Sequence, residues 1–148
     1  MRIKKVTLQD LEKIVVLERK IFEENAFSKE TLKRLIEDNE FFLKIEIGKL
    51  KKVLAGFAIA IKDRKDRANI INFLINPKYQ NHGIGTILLR KIIEEIRTIK
   101  DIKKIVLNVN VNNYNAIKLY KKHHFNITKE IDNYYNNGES SYLMELNN

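Results

Sequence analysis

With 148 residues, 44% of them hydrophobic and 32% charged, the chain has the size and composition of one folded domain, residues 1–148, rather than of a disordered segment. It contains no cysteine, which excludes disulfides, thiolate zinc sites and cysteine nucleophiles; it has no run near the ~20 apolar residues of a membrane span, and MRIKKVTLQD lacks a signal-peptide core, so the cytoplasm is the expected location. The formal charge of +9 points to an anionic cofactor, an acidic protein surface or a nucleic acid, and a lysine-rich composition accounts for it equally well.

Residues 2–6 read as a short strand. Thr7 and Asp10 have the spacing of a capping box, and Leu8, Leu11, Ile14, Val15 and Ile21 follow at helical intervals. Ser28 opens a second, short helix carrying Leu32, Leu35 and Ile36. FFLKIEIG and KKVLAGFAIAI read as two strands around a Gly48-Lys49 turn. NIINFLI, residues 69–75, has the character of a buried strand and is ended by Asn76-Pro77. Leu88, Leu89, Ile92, Ile93 and Ile96 make a helical stripe. KKIVLNVNV at 103–111 is a further strand, 113–123 a helix, and FNITKEI with SSYLMEL a final strand pair. The order β-α-α-β-β-β-α-β-α-β-β predicts an α/β (α+β) fold, a single mixed sheet of about seven strands with helices on its faces.

Glycine is scarce, with five in the chain, yet Gly83 and Gly85 stand two apart where the strand at 69–75 gives way to a helix. The first helical N–H groups have no backbone partner, and the helix dipole adds about half a positive charge there. Glycine permits positive φ and removes the Cβ that holds an anion away. Asn81, His82, Gly83, Ile84, Gly85 and Thr86 are therefore the expected cradle for a pyrophosphate. The turn is neither a Walker loop nor a dinucleotide fingerprint, because no G-K-[ST] and no third glycine follow.

YQNHGIG, residues 79–85, resembles the Q/R-x-x-G-x-G/A signature of the GNAT superfamily of N-acetyltransferases. LNVNVNNYNAIKLYKKHHF, residues 107–125, resembles that family's L-E-V-R-x-x-N-x-x-A-x-x-L-Y-x-x-x-G-F signature, matching at Leu107, Val109, Asn113, Ala116, Leu119, Tyr120 and Phe125. The tail NYYNNGESSYLMEL and the segment IFEENAFSKE are similar to the ribosomal-protein-alanine (RimI-like) and protein N-terminal acetyltransferase group. The resemblance spans essentially the whole chain. It implies a sheet whose fourth and fifth strands splay apart to admit acetyl-coenzyme A as cosubstrate.

That likeness implies direct acetyl transfer from a thioester to an amine. A backbone N–H among Phe73, Leu74 and Ile75 is expected to bind the thioester oxygen. Tyr120 is expected to protonate the leaving thiolate, and Asn113 to contact the cofactor through its amide. Phe27, Tyr134 and Tyr135 are expected to hold the acceptor. The chain departs from the pattern at Asn108, which stands where the family places its glutamate base, at Asn110 in place of arginine, and at His124 in place of glycine. Asparagine takes no proton at neutral pH but orients water, and a replacement base is expected from Glu23 or Glu24, Glu24 being preferred. An α-amine, with a pKa of about 7.7–8.0 against about 10.4 for lysine, is the acceptor that suffers least from a missing base.

The preferred acceptor is the N-terminal α-amine of a protein or peptide; a small-molecule amine, or a non-catalytic acyl-coenzyme A binding module, remains as an alternative. His82, His123 and His124 lack metal-ligand spacing, so no metal is expected. The basic residues are dispersed without an aromatic-basic stacking pattern, which argues against a nucleic-acid partner. Ribosome association stays open.

Overall fold

The computed structural model describes residues 1–38 and 41–148. Its elements follow the expected order: β1 (Arg2–Lys5), α1 (Leu11–Phe22), α2 (Lys29–Glu37), β2 (Phe41–Ile47), β3 (Val53–Arg64), β4 (Arg67–Ile75), α3 (Ile84–Arg97), β5 (Lys104–Asn110), α4 (Tyr114–Lys122), β6 (Asn126–Ile131) and β7 (Ser141–Asn147). The capping box before α1 is formed, with the Thr7 N–H donating to Asp10 Oδ2 at 2.8 Å. Ser28 caps α2 by accepting the Thr31 N–H at 3.1 Å.

The seven strands form one sheet in the order β1-β2-β3-β4-β5-β7-β6, antiparallel except for β4 beside β5. Its two faces carry different cores. On one, α1 and α2 cover Phe42, Phe57, Ile59 and Leu74. On the other, α3 and α4 cover Leu43, Ala58, Ala60, Ile105, Leu107 and Val109. Strand alternation dictates this sorting, since neighbouring side chains point to opposite faces. Among the described residues no helix is long and apolar enough to cross a membrane.

Two irregularities in β4 make the site. The ladder between β4 and β5 runs only from Arg67↔Lys104 to Ile70↔Leu107, after which β4 stays with β3 and β5 with β7. This is the expected splay. At the same place the β3–β4 register passes from Ala60↔Ile70 to Ile59↔Asn72, leaving Ile71 as an extra, bulged residue. The bulge reverses the alternation. Ala68 and Ile70 join the α3–α4 core, but Leu74 joins the α1–α2 core while Phe73 and Ile75 pack against the α3–α4 side.

Candidate active site

The splay opens a cavity of about 580 Å³. Phe73, Asn108, Asn113, Tyr120, Tyr134, Tyr135 and Phe27 all line it, so the split brings together residues drawn from five separate stretches of sequence. Past Ile70, the edge of β4 facing β5 has no strand partner, which leaves main-chain groups there available to a ligand. The Leu74 side chain points away into the α1–α2 core and Ile75 packs against the opposite one, so any contribution of these two to the cavity is through their main chain.

The glycine turn lies at the far end of β4. Gly83 is the N-cap of α3 in the left-handed conformation, at φ 77° and ψ 3°, and Asn81 is also left-handed at φ 67°. The first bond of the helix is Ile87 N–H to Gly83 O at 3.2 Å, so the amides of Ile84, Gly85 and Thr86 come before it. A Cβ built on Gly83 meets no atom within 4 Å, so the space beside this turn is open. Gly85 serves packing instead, because its Cβ would stand 3.4 Å from Leu119 Cδ2 and 3.7 Å from Ile75 Cγ1. Gln80 ties the turn to the strand by donating from Nε2 to Ile75 O at 3.2 Å. His82 is exposed at the rim. A row of free amides at a helix N-terminus, fronted by an open glycine, suits a pyrophosphate.

Tyr120 is buried between Phe73 and Phe125, with ring centroids 6.0 and 5.9 Å away in edge-on geometry. Burial pushes its phenol well above the ordinary value near 10. Asn113 caps α4 by accepting the Ala116 N–H at 3.2 Å through Oδ1, which leaves its Nδ2 donors for a ligand. Asn108 Oδ1 accepts from Ser141 Oγ at 3.1 Å, so this side chain too offers its Nδ2 to the cavity.

The opposite rim is a hydrogen-bonded clasp. Asn136 donates its N–H to Asn25 Oδ1 at 3.2 Å and its Nδ2 to Glu24 O at 3.1 Å, joining the loop before β7 to the loop after α1. Glu139 anchors the base of that loop, accepting from Asn110 at 2.8 Å, Asn112 at 3.0 Å and Asn137 at 2.5 Å. The Asn112 and Asn110 amides hold its carboxyl below the ordinary range. Tyr134 and Tyr135 stand edge to face at 4.9 Å, and burial, reinforced by Tyr134 and Glu139, pushes the Tyr135 phenol up to about 12.

One expectation fails here. The Glu24 side chain is exposed and does not line the cavity; only its carbonyl takes part in the clasp. Glu23, at a positive φ of 48°, ends α1, and the Glu24 side chain that follows faces solvent while Asn25 and Phe27 return to the cavity. The carboxylate that does line the cavity is Glu18 on α1, held by Asn72 Nδ2 at 2.6 Å and the Phe27 N–H at 2.8 Å. Its signal in the sequence was its register: Leu11, Ile14, Val15 and Glu18 share one helical face.

The model of the Acetyltransferase (GNAT) family matches residues 8–125. The chain belongs to that family. It is 26% identical to an N-alpha-acetyltransferase of Sulfolobus acidocaldarius over 97% of this chain and 90% of that one. Among solved structures it is similar to Ard1 from Thermoplasma volcanium, with a TM-score of 0.87, 22% identity, and coverage of 99% and 96%. It is also similar to the ribosomal-protein-S18-alanine N-acetyltransferase from Escherichia coli, with a TM-score of 0.82, 26% identity, and coverage of 99% and 92%. The protein is an acetyl-coenzyme A-dependent N-acetyltransferase of GNAT fold. Acetyl-coenzyme A supplies the activated acetyl thioester, and the open amides of residues 84–86 are the protein groups suited to its pyrophosphate.

Proposed function

We propose that residues 1–148 form one domain that transfers acetyl from acetyl-coenzyme A to the N-terminal α-amine of a peptide or protein. The observation that carries this reading is the acceptor rim: Tyr134, Tyr135 and Phe27 flank an opening clasped by Asn136, Asn25 and the Glu24 carbonyl. Paired aromatics with side-chain amides beside them suit the backbone of an extended chain. A polycationic small molecule calls for several carboxylates, and among the described residues lining the cavity Glu18 is the only one. The names of the Sulfolobus relative and of the E. coli neighbour support a terminal amine, and ribosomal protein S18 N-termini are the first acceptors to test.

Burial sharpens the role of Tyr120. Judged from unperturbed values, a phenol near 10 and a thiol near 8.5 are close enough for proton transfer. The raised phenol makes complete transfer steeper. Tyr120 therefore acts first as a neutral hydrogen-bond donor that stabilises charge building on sulfur. Asn108 Nδ2 positions the acceptor or its water.

Thiol release, measured against a peptide library varied at the first residues, tests the reading. Lysine peptides blocked at the N-terminus are the comparison. At pH 7 deprotonating lysine costs about 3.4 kcal/mol more than deprotonating an α-amine, so free N-termini should react ~300-fold faster. Equal rates on both would overturn the proposal.

A further inference from the structure

Glu18 is 1% exposed and yet contributes to the cavity wall. It is the one charged side chain among the described residues that line it; the other ionisable groups there are the phenols of Tyr120, Tyr134 and Tyr135. Its oxygens accept from the Phe27 N–H and Asn72 Nδ2, and no cation pairs with it among the described residues. Burial raises its carboxyl above the ordinary range, against the opposing pull of those two donors. Asn72 is 6% exposed, and its Oδ1 is the one buried side-chain polar atom without a hydrogen-bond partner among the described residues. A buried carboxylate without a countercharge and a buried acceptor without a donor are both costly. One ammonium group satisfies both. The bulge at Ile71 is what turns Asn72 towards Glu18, one residue before Phe73, whose ring packs on Tyr120.

We propose that Glu18 and Asn72 together receive the acceptor amine, Asn72 Oδ1 accepting one of its N–H groups and Glu18 removing a proton. The inference rests on the acetyl-transfer reading above, and it supplies the base that Asn108 is not. The ammonium and the Glu18 carboxylate become a neutral amine and a carboxylic acid. The nitrogen lone pair then forms the C–N bond at the thioester carbonyl. The C–S bond breaks, and its electron pair leaves with sulfur. A second proton from nitrogen ends on that sulfur as the free thiol, and Glu18 returns its proton to solvent. One acetyl group moves and one net proton is released.

Glu18→Gln tests this with little disturbance of shape. The glutamine Oε1 accepts the Phe27 N–H, and its Nε2, standing where Asn72 Nδ2 donated to the carboxylate, donates to Asn72 Oδ1 once that amide turns over. The variant should bind acetyl-coenzyme A as the wild type does, while turnover falls by about 10²-fold. Its residual rate should climb through pH ~7.7–8.0, the α-amine range, where the wild type has already reached its plateau. Adding Asn108→Glu should recover part of the loss by returning a carboxylate to the cavity from β5. Wild-type turnover and pH profile in Glu18→Gln would overturn the proposal, as would a fall in acetyl-coenzyme A affinity that accounts for the whole loss. The peptide reading fails separately. If the wild type acetylates only small amines, that reading is lost, and the same comparison on those amines still decides Glu18. If the wild type turns over no amine, the ¹³C-carboxyl titration of Glu18 in the coenzyme A complex decides. A free-amine peptide should lower the midpoint relative to its N-acetylated form, and identical midpoints would overturn the proposal.

Discussion

On the α3–α4 side of the split, the ligand-facing groups are mostly main chain: the amides of residues 84–86, the free edge of β4, and Gly83, joined by the side chains of Asn113 and of Tyr120, which is set among aromatics. On the α1–α2 side and along the clasp they are side chains: Asn72, Asn108, Asn110, Asn25 and Asn136, with Glu18 among them and Glu139 anchoring the loop behind. The first set comes with the fold, because any sequence that forms this turn and splay presents the same N–H groups. The second is written one residue at a time. Donor recognition is thus insulated from substitution, whereas acceptor choice is open to single changes that leave the sheet intact.

Variants that strike one side and spare the other test this division. Gly83→Asp should be the most severe. An acidic residue at a helix N-terminus suits the dipole, and left-handed φ is tolerated better by Asp than by most residues, so the fold should persist. The carboxylate would face the pyrophosphate, and acetyl-coenzyme A should bind on the order of 100-fold more weakly, read as loss of its stabilising thermal shift. Normal binding would mean that the turn is not the pyrophosphate site.

Tyr120→Phe should lower turnover by about 10²-fold with cofactor affinity retained. Because the phenol is raised, the wild-type rate should show no Tyr120 limb up to pH 10. Unchanged turnover in the variant would reduce Tyr120 to packing.

Glu139→Ala should release the acceptor side alone. It removes three amide contacts, and the loss of one or two net hydrogen bonds predicts an acceptor KM raised by about 3–10-fold, with the acetyl-coenzyme A KM unmoved. If both KM values rise together, the two sides are coupled.

A stability comparison across pH checks the state of Glu18. Its folded value is raised, so protonation favours the fold; its stability contribution is full below the unfolded value near 4.5 and is lost as pH rises through the folded one. Glu18→Gln should therefore melt higher than wild type at pH 7, and the gap should close as pH falls below about 4.5. A gap independent of pH would contradict a buried, ionised Glu18. The smallest effect belongs to His124→Gly, outside both sides. His124 sits at φ 72°, and relief of left-handed strain, about 1–2 kcal/mol less the extra flexibility of glycine, should raise Tm by about 2–4 °C with activity unchanged.

The elements and the glycine turn were legible because each rests on local pattern, helical stripes and a glycine pair after a strand, whereas the Leu119-Tyr120 pair was legible through the family resemblance. The cavity members Phe27, Tyr134 and Tyr135 were legible through resemblance, since nothing local says that residues 25 and 136 meet. Glu18 was hidden for a physical reason. In LERK it reads as one of several charges on a surface helix, although its register with Leu11, Ile14 and Val15 puts it inside. Glu24 was the expected base, but it follows the end of α1 at Glu23 and its side chain faces solvent. Asn72 was hidden more deeply: NIINFLI scans as a buried strand, and counting by twos through it places Asn72 on the same face as Ile70. The single bulged residue defeats that count.

The bulge also sets how this protein tolerates changes in length. Deleting Ile71 would remove the extra residue and leave every later residue of β4 on the face it already occupies, because Asn72 would then follow Ile70 in ordinary alternation. Flattening the bulge without shortening the chain, so that Ile71 takes a regular place in the ladder, would instead drive the Asn72 amide among Ala60, Leu88 and Leu107 and swing Phe73 away from Tyr120. A substitution or a deletion at Ile71 therefore leaves the two walls of the active site in place, whereas a slip that draws Ile71 into the ladder exchanges them, so it is the bulge and not the residue within it that holds the phase of the strand.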